Sequence, residues 1–301
     1  MFFVVLSIVT RLGYHDVSPT RPVFVAATPF TQKDEIVKGL RLRYIEEGTG
    51  PCLLGVHGHT SRIEEYDEIT PIMTENFHVL VPDLPGSGYS DKPDRGYSMD
   101  FYVETLVAFL DARGEKKCYL FGFSQGGNAV MLLAFRWPER FTAIIVGAPG
   151  GAWEARLFLA FVMRLFGGPA LFQIVVRIQS YFWFREDWRE REARIQANFD
   201  YYDEVMSPGF VRMYWEIAAD QVGSSLFDLA PRIKQRTLLL VGSKDSALGV
   251  NKGIRRLLAM MPNARLIEFE GVGHALAAEA PKEVAKEMTT FLLESDQKSS
   301  K

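Results

Sequence analysis

The sequence predicts an α/β fold built on a mostly parallel sheet, and three observations predict it. Short apolar runs alternate with helical patterns from about residue 34 onward. The runs are continuously apolar rather than alternating, as strands covered on both faces require. One long stretch, 150–224, breaks the alternation without supplying a strand of its own.

Each element has a local reason. Glu35–Lys38 and Leu40–Glu47 flank Gly39 and read as a hairpin. Cys52–Val56, His78–Pro82, Cys118–Phe123, Ala143–Val146, Thr237–Val241 and Arg265–Phe269 are brief runs rich in Val, Ile, Leu and Phe, bounded by Gly, Pro or Asp. Tyr102–Arg113 sets Val103, Leu106, Val107 and Leu110 on one helical stripe, and Gly114 ends it. Gln125–Trp137 reads as a helix stopped by Pro138, and Ile254–Met261 as one stopped by Pro262. Pro281 opens a last helix carrying Val284, Met288 and Leu292. The 150–224 stretch holds Trp153, Trp183, Trp188 and Trp215, and reads as four or so helices. Its breaks fall near Gly167-Gly168-Pro169, Arg185–Asp187 and Ser207-Pro208-Gly209. The expected division is therefore a core of 1–149 and 225–301 with a helical cap, 150–224, inserted in it. A cavity between two such apolar parts would suit an apolar ligand.

Composition bounds the partners. With 48% hydrophobic and 24% charged residues, the 301-residue chain is ordinary for a globular protein. A formal net charge of −3 offers no general attraction to nucleic acid or an anionic membrane. Cys52 and Cys118 cannot build a disulfide framework and read as buried thiols, their separation left open. The apolar start, Met1–Val9, lacks a basic n-region and is too short to span a bilayer. A cytoplasmic location is expected. The start itself stays open between a truncated signal peptide, a membrane-associating arm and an element packed on the surface. The oligomeric state is not legible.

The chemistry begins at Gly122-Phe123-Ser124-Gln125-Gly126, a G-x-S-x-G match. Alone it is weak, since such a pentapeptide arises by chance in roughly one chain of this length in ten. Its setting is stronger: a strand runs into it and a helix out of it, the context of a nucleophile on a tight turn. Gly122 and Gly126 would be small because a Cβ at either would strike the turn. A serine hydroxyl needs a base. Of the five histidines, His274 follows the final strand in Gly271-Val272-Gly273-His274. The base needs a carboxylate, and Asp245 stands just past the end of Thr237–Val241. The chain order Ser124, Asp245, His274 is neither protease order. His57 and His59 lack metal-site spacing, and no metal or cofactor is expected.

On these marks the chain resembles the α/β-hydrolase fold enzymes over about residues 34–294. The marks are His57-Gly58-His59, Asp83-Leu84-Pro85-Gly86-Ser87-Gly88, Gly122–Gly127, Asp245 and Gly273-His274. The resemblance implies a helical cap after the sixth strand, and an oxyanion hole from the backbone N–H groups of His59 and Gln125. It also makes His57, Gly58, Gly122 and Gly126 supports of the loop and elbow, and Asp83–Gly88 a shaping loop. Serine at 124 sets the chain apart from relatives with Asp there, the haloalkane dehalogenases and epoxide hydrolases. Carbon–carbon hydrolases often carry Trp after the catalytic His, where this chain has Ala275. The expected activity is that of a carboxylesterase on a small apolar acyl or aryl ester. A C–C hydrolase, a lactonase and a non-catalytic receptor are the alternatives.

Overall fold

The structure, a computed structural model, describes residues 28–94, 96–247 and 249–299. The apolar start Met1–Val9 lies outside them. Eight strands form one sheet: β1 (Gln32–Val37), β2 (Leu40–Glu47), β3 (Cys52–Val56), β4 (His78–Pro82), β5 (Cys118–Phe123), β6 (Phe141–Gly147), β7 (Arg236–Gly242) and β8 (Ala264–Phe269). Their spatial order is β1-β2-β4-β3-β5-β6-β7-β8. The pairs β1–β2 and β2–β4 are antiparallel, and every later pair is parallel. All residues of β3 and β5 are buried, so the centre of the sheet is covered on both faces. That burial is why these strands read as unbroken apolar runs.

The hairpin starts three residues earlier than its apolar pattern indicates. Gln32–Glu35 pair with β2 although they are polar, because an edge strand needs only one covered face. Its turn places Lys38 and Gly39 at φ 50° and 78°, the two-residue geometry whose twist suits paired strands.

The helices are α1 (Thr70–Met73), α2 (Met99–Ala112), α3 (Gln125–Arg136), α4 (Leu157–Phe166), α5 (Pro169–Trp183), α6 (Arg191–Val205), α7 (Pro208–Gly223), α8 (Val250–Met260), α9 (Leu276–Glu279) and α10 (Pro281–Ser299). The Ser98 side chain caps α2 by accepting the Phe101 N–H, which moves its start to Met99. α3 packs on β5 and β6, and α8 on β7 and β8. The four helices α4–α7 separate β6 from β7 in sequence. Among them α7 is the inner one: Phe210, Met213, Tyr214 and Ile217 are buried, and it meets α2, α4 and α5.

β3 and β5 are neighbours, and Cys52 and Cys118 at their starts are buried, unbridged thiols. Hydrogen bonding to Cys118, together with burial, pushes the Cys52 thiol up. Among the described residues, one group of three metal-capable side chains comes together, Cys52, Glu115 and Cys118. It lies where β3 and β5 begin, at the opposite end of the sheet from Ser124. No helix among the described residues is long and apolar enough to cross a membrane.

Candidate active site

Ser124 sits between β5 and α3 at φ 54°, ψ −118°, a conformation L-residues rarely adopt. Close packing enforces it. A Cβ at Gly122 would stand 2.5 Å from the Gly126 carbonyl, and one at Gly126 1.8 Å from the Val56 carbonyl oxygen. Main-chain bonds hold both sides of the turn: Ser124 N–H donates to Gly147 O at 2.8 Å, and Gly150 N–H donates to Ser124 O at 2.9 Å. Gln125 is the first residue of α3, where N–H groups have no partner within the helix.

Ser124 and His274 line one cavity of about 160 Å³. Trp183, Phe184 and Ala197 line it from the α4–α7 segment, and Phe123, Leu276 and Ala277 from the sheet side. An apolar cavity of about 150 Å³ holds a benzene ring, so this space suits one aromatic ring or a short acyl chain. The serine and imidazole share this wall without a direct hydrogen bond between them.

His274 Nδ1 lies 2.8 Å from Asp245 Oδ2, which sets Nδ1 as the donor and leaves Nε2 as the basic nitrogen. Asp245 Oδ1 accepts the Ala247 N–H at 2.8 Å, and the Asn251 side chain donates to the Asp245 carbonyl at 2.9 Å. Burial opposes charge on His274, but Asp245, Glu65 and Glu279 outweigh it and hold the imidazole pKa above its usual value.

The two histidines after β3 have different surroundings. His57 is fully buried; its Nδ1 is 2.8 Å from Gly58 O, and its Nε2 accepts the Leu84 N–H at 3.0 Å. It fastens the Gly58 loop to the loop after β4 and has no lone pair left for a ligand. The His59 ring stacks on Tyr214 at 4.8 Å, and burial holds its pKa down to about 4. It is therefore neutral at physiological pH. Beneath the Asp83–Gly88 loop, Asp83 is fully buried. It accepts from Arg43 Nε at 2.6 Å, from Ile63 N–H at 2.8 Å and from Tyr89 N–H at 2.7 Å. Burial alone would raise its pKa, but Arg43 holds it below the ordinary carboxylate range.

Two carboxyl groups near His274 carry no signal in the sequence. Glu65 faces the cavity and accepts the Gly58 N–H at 2.7 Å, while burial raises its pKa. It therefore steadies the loop that carries His59, and it adds negative potential opposite His274. Glu65→Gln keeps an acceptor for Gly58 but removes the charge. The acid limb of the kcat/KM profile should move to lower pH, whereas a purely structural role would leave it in place. Glu279, with no exposed side-chain surface, accepts N–H groups from Gly273 at 2.7 Å and Arg185 at 3.2 Å. Ala275 N–H donates to Trp183 O at 3.1 Å, and Arg185 Nη1 to Gly271 O at 2.6 Å. The end of α5 is thus stitched to the loop bearing His274.

A family model described as the Alpha/beta hydrolase family matches residues 53–287. The chain belongs to that family. This hydrolase is 26% identical over 268 residues to the 2-hydroxy-6-oxo-6-phenylhexa-2,4-dienoate hydrolase of Burkholderia cepacia, covering 81% of this chain and 88% of the relative. Among solved structures it is similar to the enol-lactonase of Burkholderia xenovorans LB400. The TM-score there is 0.74 at 21% identity, covering 87% of this hydrolase and 100% of the lactonase. It is also similar to a bacterial membrane phospholipase A, with a TM-score of 0.73 at 24% identity over 98% of this chain and 91% of that one. Both structural likenesses show the fold.

Proposed function

We propose that this hydrolase is a serine carboxylesterase acting on small apolar acyl or aryl esters, with residues 150–224 as a cap over the site. The observation that carries the reading is the strained Ser124 facing the same cavity as an imidazole whose far nitrogen is bound to a carboxylate. Ser124 Oγ attacks the ester carbonyl while His274 Nε2 takes its proton. The oxyanion is received by the N–H groups of His59 and Gln125, a pair whose single loss typically costs about 10²–10³ in rate. His274 returns the proton to the leaving alkoxide, then activates water to release the acid. Asp245 holds the tautomer and stabilises the imidazolium.

The test is a panel of nitrophenyl esters from acetate to decanoate, with benzoate. Turnover should peak on the short chains or on benzoate, as the cavity volume requires, and silence across the panel would remove the reading. Because the His274 pKa is raised, its neutral, basic form is lost at a higher pH than for an ordinary imidazole. The acid limb of kcat/KM should therefore lie above the usual imidazole range, and a limb below it would contradict the assigned charge environment.

A second reading is favoured by one comparison, the 26% identity to a 2-hydroxy-6-oxo-6-phenylhexa-2,4-dienoate hydrolase. Loss of absorbance of that dienoate on mixing, with inert nitrophenyl esters, would select C–C cleavage. Stoichiometric binding of esters without turnover would select a receptor.

A further inference from the structure

The cluster at the starts of β3 and β5 takes no part in the proposed reaction. Parallel pairing sets Cys52 opposite His78 on β4 and Leu53 opposite Tyr119 on β5, so Cys52 and Cys118 stand level on neighbouring strands. Glu115, in the loop that leads into β5, brings its carboxylate to both thiols. One sulfur from each cysteine and one carboxylate oxygen all lie within 4.8 Å of one another. His78 holds that carboxylate: its Nδ1 is 3.0 Å from Glu115 Oε1, and its Nε2 is 3.0 Å from Glu46 Oε1. The arginines beside the cluster are committed elsewhere. Arg113 donates to Glu35 and Glu46, while Arg140 pairs with Asp111 and donates to the Glu115 main-chain carbonyl.

We propose that Cys52, Cys118 and Glu115 bind one zinc ion, with water as its fourth ligand. Two sulfurs select a borderline-soft divalent cation over magnesium or calcium, whose sites are built from oxygen. Zinc bonds of about 2.3 Å to sulfur and about 2.0–2.2 Å to oxygen put tetrahedral ligand atoms roughly 3.3–3.8 Å apart. The cluster therefore needs only a modest contraction to close on an ion. Through its hydrogen bonds His78, itself held by Glu46, fixes the direction of the Glu115 carboxylate, as an outer partner of a metal ligand does. The burial pattern also fits. Cys52 and Cys118 are 5% and 4% exposed, whereas the His78 and Glu115 side chains are 22% and 23% exposed. Shielded sulfurs thus lie beneath a polar mouth through which a hydrated ion can enter. On entry each thiol releases its proton to solvent, and the ion's double charge is met by two thiolates and one carboxylate. The ligands come from β3 and from the approach to β5, so no spacing in the sequence announces them. Lying at the opposite end of the sheet from Ser124, the ion would clasp two central strands and take no part in ester chemistry.

The experiment titrates the full chain, kept reduced by a phosphine and stripped of metal by a chelator, with Zn²⁺ or with Co²⁺ alone. The expected result is uptake of one Zn²⁺ per chain in competition with a chromophoric chelator. Tm should rise by about 4 °C when free Zn²⁺ stands a hundredfold above Kd. Co²⁺ should give the charge-transfer absorption of thiolate bound to cobalt. The double variant Cys52→Ser, Cys118→Ser should lose that absorption and bind Zn²⁺ at least about a hundredfold more weakly. Glu115→Gln should weaken binding at least about tenfold. It lies at a partly exposed position and keeps an acceptor for His78, so it reads out the site even if the buried serines prevent folding, which a thermal melt reports. Three results overturn the proposal. Wild type that takes up neither ion does so. So does a cobalt absorption or a zinc affinity unchanged in a folded double variant, since the ion then sits elsewhere. So does wild-type affinity in Glu115→Gln, which would remove the carboxylate from the ligand set.

Discussion

Ser124→Ala is expected to lower ester turnover by about 10⁶ while leaving the protein folded. The size follows from the way the site divides its work. In the proposed mechanism nucleophile, base and carboxylate act as a unit, so removing the attacking atom would leave only what the cavity and two N–H donors can do. Stability should hardly change, because alanine meets the same backbone conformation at φ 54° and the hydroxyl makes no hydrogen bond among the described residues. Labelling by a fluorophosphonate gives an independent readout, strong in the wild type and absent in the variant. Full labelling of the alanine variant would place the nucleophile elsewhere. His59→Ala should cost far less, because the donor assigned to that position is backbone and survives the substitution.

The second large effect is on stability. Arg43 is 3% exposed and donates to Asp83, which is fully buried, and to both carboxylate oxygens of Glu64 at 2.9 Å. Arg43→Ala leaves the Asp83 charge buried without its cation, a loss of about 3–5 kcal/mol and a drop in Tm on the order of 10 °C. The damage should reach the site. Asp83 anchors Ile63 and Tyr89, and Leu84 next to it donates to His57, whose other nitrogen bonds to Gly58 O. Urea titration and thermal melts measure the effect, and a loss below about 1 kcal/mol would mean that water or Lys92 replaces the guanidinium. Arg43→Lys should not rescue fully, since a point charge cannot bridge two carboxylates as a planar fork does.

Much of the fold could be read in the residues because the strands that matter are buried on both sides, which turns three-dimensional position into uninterrupted apolar runs. β3, β5 and β7 are such runs. The first strand was harder: Gln32–Glu35 are polar, and only pairing with β2 makes them strand. The single-turn helices Thr70–Met73 and Leu276–Glu279 are too short for any periodicity to register. At the site, Ser124, Asp245 and His274 stand at punctuated strand ends where turns leave a local signature. Glu65, Glu279 and Arg43, the cation of Asp83, leave none. Each owes its role to a partner brought from elsewhere by the fold, such as Arg43 with Asp83 forty residues away.

The stitching of Trp183 and Arg185 to the Gly271–Ala275 loop carries a mechanical implication. Lifting this corner of the roof breaks the bonds from Ala275 and Arg185 and withdraws a donor from Glu279. The end of α5 and the loop that bears His274 are thus one mechanical piece, and a displacement of residues 183–185 is transmitted to the imidazole rather than absorbed by a slack connection.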